Sequence, residues 1–322
     1  MENTTTLREM KIAGIRDVAR DIREIELVPV DAAPLDNFSA GAHIECAVIL
    51  PDGSPGLRAY SLVNAPGETD RYRVAVARSA DSRGGSAFMH RLEVGGTLQV
   101  GRARNDFPLL LSASQSLLVA GGIGVTPILA MARTLAHTGR PFQLHYVGRE
   151  RALMAYADEI EAMDGASVVT DGGDPAQGLD LAALLKDPPP ACHLYVCGPR
   201  PLIEATLAAA RAAGWTDRQL HFELFGGEAP LSGDRPFTVE FALSGQSAEV
   251  GVGQTILDVM EELNLDPIFD CRRGECGVCV VDVISGELDH RDMNLSEREK
   301  GAGKLICTCV SRAKGDRIVI NA

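Results

Sequence analysis

Apolar residues follow two rhythms along this chain, and the change between them falls near Ser116. Over the first hundred residues they come in short runs, at 25–30, 43–50, 60–63, 72–76 and 97–100, separated by Pro-Asp-Gly, Ala-Pro-Gly and Gly-Gly turn signals. Short apolar runs bounded by turn formers predict strands, and their even spacing predicts a small antiparallel barrel. From Ser116 onward, apolar strands at 117–120, 142–147, 167–170 and 193–197 alternate with alanine-rich helical stretches. That alternation predicts a doubly wound parallel sheet. A turn-rich stretch, 226–236, then leads to a third region that opens at Phe237. No internal repeat is visible.

Length supports several modules, because 322 residues exceed the size at which one core stops growing. No run of 18 apolar residues occurs, and Met1-Glu-Asn-Thr-Thr-Thr has neither the basic flank nor the apolar stretch of a signal peptide, so a soluble cytoplasmic protein is expected. The formal charge of −13 excludes a nucleic-acid binder, which needs a basic face. Residues 235–322 hold 15 Asp and Glu against 10 Lys and Arg. Such a surface could steer a basic protein partner or could simply be solvated.

Eight cysteines are too few for a disulfide scaffold in a chain of this length, but four of them have a telling arrangement. Cys271-Arg-Arg-Gly-Glu-Cys276-Gly-Val-Cys279, with Cys309 after 29 further residues, has the ligand spacing of a plant-type [2Fe-2S] cluster. Gly274 and Gly277 would let the loop curl and leave amide N–H groups to face the sulfurs. Structural zinc is the alternative, with Cys307-Thr-Cys309 as the second knuckle. Cys307 and Cys309 would face the same side of a strand; Cys309 is the expected ligand, because Thr308-Cys309-Val310 resembles the closing segment of plant ferredoxins. Cys46, Cys192 and Cys307 then read as buried filler.

Leu118-Val-Ala-Gly121-Gly122-Ile-Gly124-Val-Thr126-Pro127 takes a buried strand into glycines and then a helix, where bare backbone and the helix dipole suit a pyrophosphate. Tyr195-Val-Cys197-Gly198-Pro199 would place a second glycine turn at the same carboxyl edge of the sheet, where open α/β sheets bind ligands. A nicotinamide gives up two electrons together and a [2Fe-2S] cluster takes one, so a flavin is expected between them. Its site is expected at Arg58-Ala-Tyr60-Ser61, with the guanidinium and the ring on one strand face, and at Arg83-Gly84-Gly85-Ser86, with Ser86 as helix cap.

These motifs occur in the same order in phthalate dioxygenase reductase and its relatives, and the sequence resembles that family over nearly its whole length. Asp289-His-Arg-Asp292-Met also resembles the phthalate-type, vanillate demethylase and carnitine oxygenase reductases. The resemblance implies a multidomain, ferredoxin-reductase-like architecture. Residues 1–108 would be an FMN-binding antiparallel β-barrel, 109–226 an α/β doubly wound NAD domain, 227–236 a linker, and 237–322 an α+β plant-type ferredoxin (β-grasp) domain. It further implies flavin contacts from Arg58, Tyr60, Ser61, Gly84, Gly85 and Ser86, with Val76 and Arg78 beside the ring or phosphate. FMN is implied over FAD. Thr126 would lie near flavin and nicotinamide, Gly121, Gly122, Gly124 and Pro127 near the pyrophosphate, Cys197 with Gly198 and Pro199 close to the hydride path, and Phe225 against the isoalloxazine. Glu150 and Asp171 lie at strand ends where a carboxylate would favour NADH over NADPH. The implied function is an NADH-dependent reductase, monomeric in that family's manner, passing electrons through FMN and [2Fe-2S] to the terminal component of a Rieske non-haem iron oxygenase. The alternatives are an electron-transfer subunit of another flavoenzyme, or a redox sensor or zinc-stapled interaction protein.

Overall fold

The computed structural model describes residues 6–31, 33–64, 67–68, 70–78, 84–225, 231 and 233–322. The chain forms two compact units, Met1–Glu223 and Leu224–Ala322. Residues 227–230 and 232 of the expected linker at 227–236 lie outside the described residues, as does Arg83 of the glycine motif.

The first unit opens with β1 (Arg8–Ala19), β2 (Ile22–Pro29), β3 (His43–Ile49), β4 (Pro55–Ser61), β5 (Tyr72–Ala77), α1 (Gly85–Met89) and β6 (Thr97–Val100). The six strands make one sheet in the order β4-β3-β6-β1-β2-β5, and a Leu62–Val74 bridge joins its two ends, closing the expected barrel. Met10, Ile12, Ile25, Leu27, Ile44 and Val74 point inward and are almost fully buried. Strand β1 was not among the expected runs. Its alternation of polar and apolar residues breaks where the pairing with β2 slips between Ile12 and Gly14, so no single period spans it.

The same unit continues with β7 (Gln115–Gly121), α2 (Val125–His137), β8 (Phe142–Gly148), α3 (Ala157–Glu161), β9 (Ala166–Thr170), α4 (Leu181–Leu184), β10 (Cys192–Gly198), α5 (Arg200–Ala212) and β11 (Leu220–Leu224). The strand order is β11-β10-β7-β8-β9, with β7, β8, β9 and β10 paired in parallel. Leu118, Val119 and Ala120 are wholly buried, as a strand covered on both faces requires.

The second unit contains β12 (Phe237–Phe241), β13 (Gln246–Val250), α6 (Ile256–Glu262), β14 (Val280–Ser285), β15 (Leu288–Asp289), α7 (Glu297–Ala302), β16 (Leu305–Cys307), β17 (Arg312–Ala313) and β18 (Arg317–Ile320). Five strands form a mixed sheet in the order β13-β12-β18-β14-β16, with β12 and β18 parallel. Phe237, Val239 and Phe241 alternate inward from β12 and meet Ile256, Val259 and Met260 of α6. A capping box of Thr255 and Asp258 starts that helix. The 271–279 loop lies between α6 and β14.

Candidate redox sites

At the barrel, the exposure of β4 alternates as a strand must: Leu57 and Ala59 face solvent, whereas Arg58 and Tyr60 turn to the other side. Arg58 pairs across the sheet with Cys46, Tyr60 with Ile44 and Ser61 with His43. Burial pushes the Tyr60 hydroxyl above its ordinary value, so the ring stays neutral. The structure brings Arg58 against the glycine motif, since a Cβ on Gly85 would lie 2.8 Å from Arg58 Cγ and 3.1 Å from its Nε. Gly84 occupies the left-handed region (φ 100°) and is the N-cap of α1. The expectation for Ser86 is corrected: it is the second residue of the helix, and the cap needs a positive φ that serine would resist. Val76 is buried in the barrel core and its carbonyl accepts from His90 Nε2 at 2.8 Å, while Arg78, just past β5, is exposed.

The two glycine turns meet at the carboxyl edge of the parallel sheet. Cys197 is in register with Ala120, and a Cβ on Gly198 would stand 3.0 Å from Gly121 N and Cα. A Cβ on Gly121 would strike Leu202 at 2.5 Å and Pro199 at 2.8 Å, and one on Gly124 would lie 2.4 Å from the carbonyl of Cys197. Gly122, at φ 53°, has open space beyond it. The turn therefore packs on one side and offers bare backbone on the other. Tyr146 OH donates to Gly122 O at 3.1 Å, fixing the turn from beneath. Pro127 lies in the first turn of α2, where its missing N–H costs nothing. Thr126 is 1% exposed, and its hydroxyl donates to Ile123 O at 3.1 Å; Cys197 is fully buried.

Glu150, just past β8, pairs with Arg20 of the barrel at 2.7 Å, an ion pair exposed at both ends. Asp171, just past β9, accepts from Gly173 N–H at 2.8 Å. The two carboxylates belong to neighbouring parallel strands and lie at the same edge as the glycine turns. Phe225 is half-buried and belongs to the second unit.

In the second unit the four expected ligands form two pairs. Cys271 and Cys276 hydrogen-bond through their thiols, and Cys279 Sγ lies 3.2 Å from Cys309 Sγ. Backbone amides point at the sulfurs: Arg273 N–H at Cys271 (3.3 Å), Cys271 and Val278 N–H at Cys276, Gly274 N–H at Cys309 and Cys309 N–H at Cys279. Gly274 and Gly277 have φ of 76° and 73°, and a Cβ on Gly274 would meet Val310 at 2.7 Å. Two pairs of thiols ringed by amide donors fit a two-iron, two-sulfide rhomb.

Cys307 is the last residue of β16 and Cys309 sits in the turn beyond it, so strand alternation does not relate them. Both thiols hydrogen-bond to Cys279, and these bonds, from Cys307 first and then Cys309, hold Cys279 well below the ordinary thiol value. Of the two, Cys309 has the Gly274 amide on its sulfur, and both pack with Cys279, Leu257 and Leu295 in one apolar cluster. The Asp289-His-Arg-Asp292-Met segment acts as a brace. Buried Asp292 accepts from Leu295 N–H (2.8 Å) and Ser311 Oγ (3.3 Å), and Met293 N–H reaches Gly274 O at 2.9 Å. Arg272 takes a left-handed conformation (φ 52°), held by Asp258 at 3.4 Å, by Glu261, and by the Phe269 ring at 4.2 Å.

Known proteins bear on these sites directly. Residues 240–314 match the 2Fe-2S iron-sulfur cluster binding domain family, and 104–220 match the dimethylamine monooxygenase subunit DmmA-like N-terminal domain. Phthalate dioxygenase reductase of Burkholderia cepacia is 40% identical over 318 residues, 97% of this chain and 96% of its own. The chain belongs to the phthalate dioxygenase reductase family. A second full-length relative, the vanillate O-demethylase oxidoreductase of Pseudomonas sp. (strain HR199 / DSM 7063), is 39% identical over 97% of this chain and 99% of its own. A solved phthalate dioxygenase reductase, described as a modular structure for electron transfer from pyridine nucleotides to [2Fe-2S], superposes with a TM-score of 0.76 at 38% identity, covering 98% of each chain. As a member of this family the chain is an electron-transferring flavin and iron-sulfur oxidoreductase.

Sequence reasoning missed Arg133, Tyr156 and Glu24, which link the barrel to α2 and α3. Nothing in their local sequence marks them, because each acquires a partner only through the fold. No helix among the described residues is long and apolar enough to cross a membrane.

Proposed function

We propose that this chain is the NADH-dependent reductase of a two-component oxygenase, with FMN as its flavin and a Rieske non-haem iron oxygenase as the acceptor of its electrons. The observation that carries the reading is the pairing of Cys271 with Cys276 and of Cys279 with Cys309, in a chain that also has two interlocked glycine turns at a parallel-sheet edge. The names of the relatives, a phthalate dioxygenase reductase and a vanillate O-demethylase oxidoreductase, support an oxygenase as partner. When bound, a flavin would supply the exchange between the hydride of NADH and the single electrons that a [2Fe-2S] cluster can carry.

The protein's part is to bind and orient. Arg58 and the main chain at Gly84, Gly85 and Ser86 hold the flavin phosphate, with Tyr60 and Ser61 beside the ring and the main chain of Val76 and the exposed Arg78 at its margin. Gly121, Gly122 and Gly124 let a pyrophosphate approach the first turn of α2, beside Thr126, Pro127, Cys197, Gly198 and Pro199. Glu150 and Asp171 take the ribose hydroxyls and repel a 2′-phosphate, which favours NADH. Cys271, Cys276, Cys279 and Cys309 ligate the irons. The flavin, NAD and cluster domains correspond to 1–108, 109–226 and 237–322, and the protein works as a cytoplasmic monomer.

The test is Cys276→Ser in the whole enzyme. NADH-driven reduction of ferricyanide should persist near the wild-type rate while reduction of cytochrome c is lost. Equal loss of both activities would contradict delivery through the cluster.

A further inference from the structure

The helix that opens at the pyrophosphate turn also reaches the flavin strand, through one guanidinium. Thr126 and Arg133 are seven residues apart on α2, close to two turns, so their side chains share a face about 10 Å apart along the axis. Arg133 donates through Nη1 to Val63 O, two residues past Ser61. Its other edge is fixed by a bidentate pair with Glu159 of α3, Nε to Oε1 and Nη2 to Oε2, both 2.8 Å. Only 21% of the Arg133 side chain is exposed.

A second contact set locks the same place. Tyr156, at the start of α3, takes a left-handed conformation (φ 58°) and donates its hydroxyl to Glu24 of β2 at 2.7 Å. Glu24 is 6% exposed and receives Arg16 of β1 in a bidentate pair at 2.7 and 2.9 Å. The Tyr156 ring lies between two cations, with Arg16 Cζ 6.0 Å and Arg133 Cζ 5.9 Å from its centroid. An adventitious surface pair would need none of this. A carbonyl two residues past the flavin strand, a helix of the dinucleotide domain and two barrel strands converge on Arg133 and Tyr156.

We infer that Arg133 is a positioning residue for hydride transfer, setting the separation and angle between the flavin strand and the nicotinamide-bearing turn of α2. This rests on the flavin and NADH assignments proposed above. Arg133 touches neither reacting partner. It fixes the end of the strand that holds one and the helix that holds the other, where a misplacement of about 1 Å costs on the order of a hundredfold in rate.

Stopped-flow mixing of the holoenzyme with NADH tests this by following flavin bleaching in the wild type, Arg133→Ala, Arg133→Lys and, as control, Arg211→Ala of α5, whose partner Asp217 belongs to neither the barrel, α2 nor α3. Arg133→Ala should bleach about 10- to 100-fold more slowly at saturating NADH, with flavin and iron content and the NADH dissociation constant within about threefold of wild type. Arg133→Lys, which retains one donor for Val63 O, should recover part of the rate. Arg211→Ala should bleach like the wild type. A wild-type rate in Arg133→Ala, loss of flavin from it, or a lysine variant no faster than the alanine variant overturns the inference. Should Arg133→Ala not accumulate, Arg133→Lys decides: a rate clearly below wild type supports positioning and an unchanged rate refutes it. A wild-type enzyme that NADH does not bleach would instead sink the functional reading itself.

Discussion

Replacing Gly124 with alanine places a methyl group where the structure has no room for it. The new Cβ would lie 2.4 Å from both the carbonyl carbon and the oxygen of Cys197 and 2.5 Å from Gly198 N. These are main-chain atoms of a buried strand end, so no rotamer change relieves the clash. Reaching ordinary contact at 3.4 Å requires the two glycine turns to part by about 1 Å. Overpacking of this kind costs about 1–3 kcal/mol, which for a unit of this size corresponds to a melting midpoint roughly 2–6 °C lower. The same shift moves Thr126 relative to Cys197, so NADH-driven flavin reduction should slow by on the order of tenfold or more. Differential scanning calorimetry and stopped-flow bleaching read the two effects. A Gly124→Ala protein that melts and turns over like the wild type would show that the turns are not in the packed relation described here.

Two other substitutions probe separate parts of the molecule. Cys309→Ala should lose the broad visible iron-sulfur absorption, whereas Cys307→Ala should keep two irons per chain and a reduced-state paramagnetic signal; the reverse pattern would reassign the fourth ligand. For Glu24, burial alone would raise the carboxyl, but hydrogen bonds from Arg16 and Tyr156 outweigh it and hold it below the ordinary value. Its stabilisation is therefore complete above the unfolded value of about 4.3 and is lost as pH falls through the lower folded value. Glu24→Gln should cost about 1–3 kcal/mol at neutral pH, given that Arg16 is 62% exposed, and should flatten the acid limb of a stability-against-pH profile below about pH 4. An unchanged acid limb would remove Glu24 from the clamp.

What could be read from sequence was whatever local composition dictates. Glycines at 121, 122, 124 and 198 mark a turn because only a bare backbone allows that approach, and cysteine spacing marks a loop because three ligands must reach one cluster. The parallel strands were legible as buried apolar runs, although β11 was not separated from the segment after it. Strand β1 was hidden by its bulge, and Ser86 looked like a cap only because the positive φ at Gly84 cannot be seen in a sequence. Cys307 and Cys309 were expected on one strand face, and that expectation failed because β16 stops at Cys307. Arg133, Tyr156 and Glu24 were invisible for a deeper reason: Arg133 and Val63 are 70 residues apart, and Tyr156 and Glu24 are 132 apart. Contacts of that range exist only once the barrel and the sheet have formed.

Around Cys271, Cys276, Cys279 and Cys309, apart from the thiols' bonds to one another and the Thr308 hydroxyl at Cys279, the donors to sulfur are peptide groups. Side chains in the loop, such as Arg272, Arg273 and Glu275, can therefore drift in evolution or be exchanged by an engineer without altering those donors. Retuning such a loop calls for edits to the chain's own skeleton, a proline or an ester in place of an amide, rather than a swap of charges.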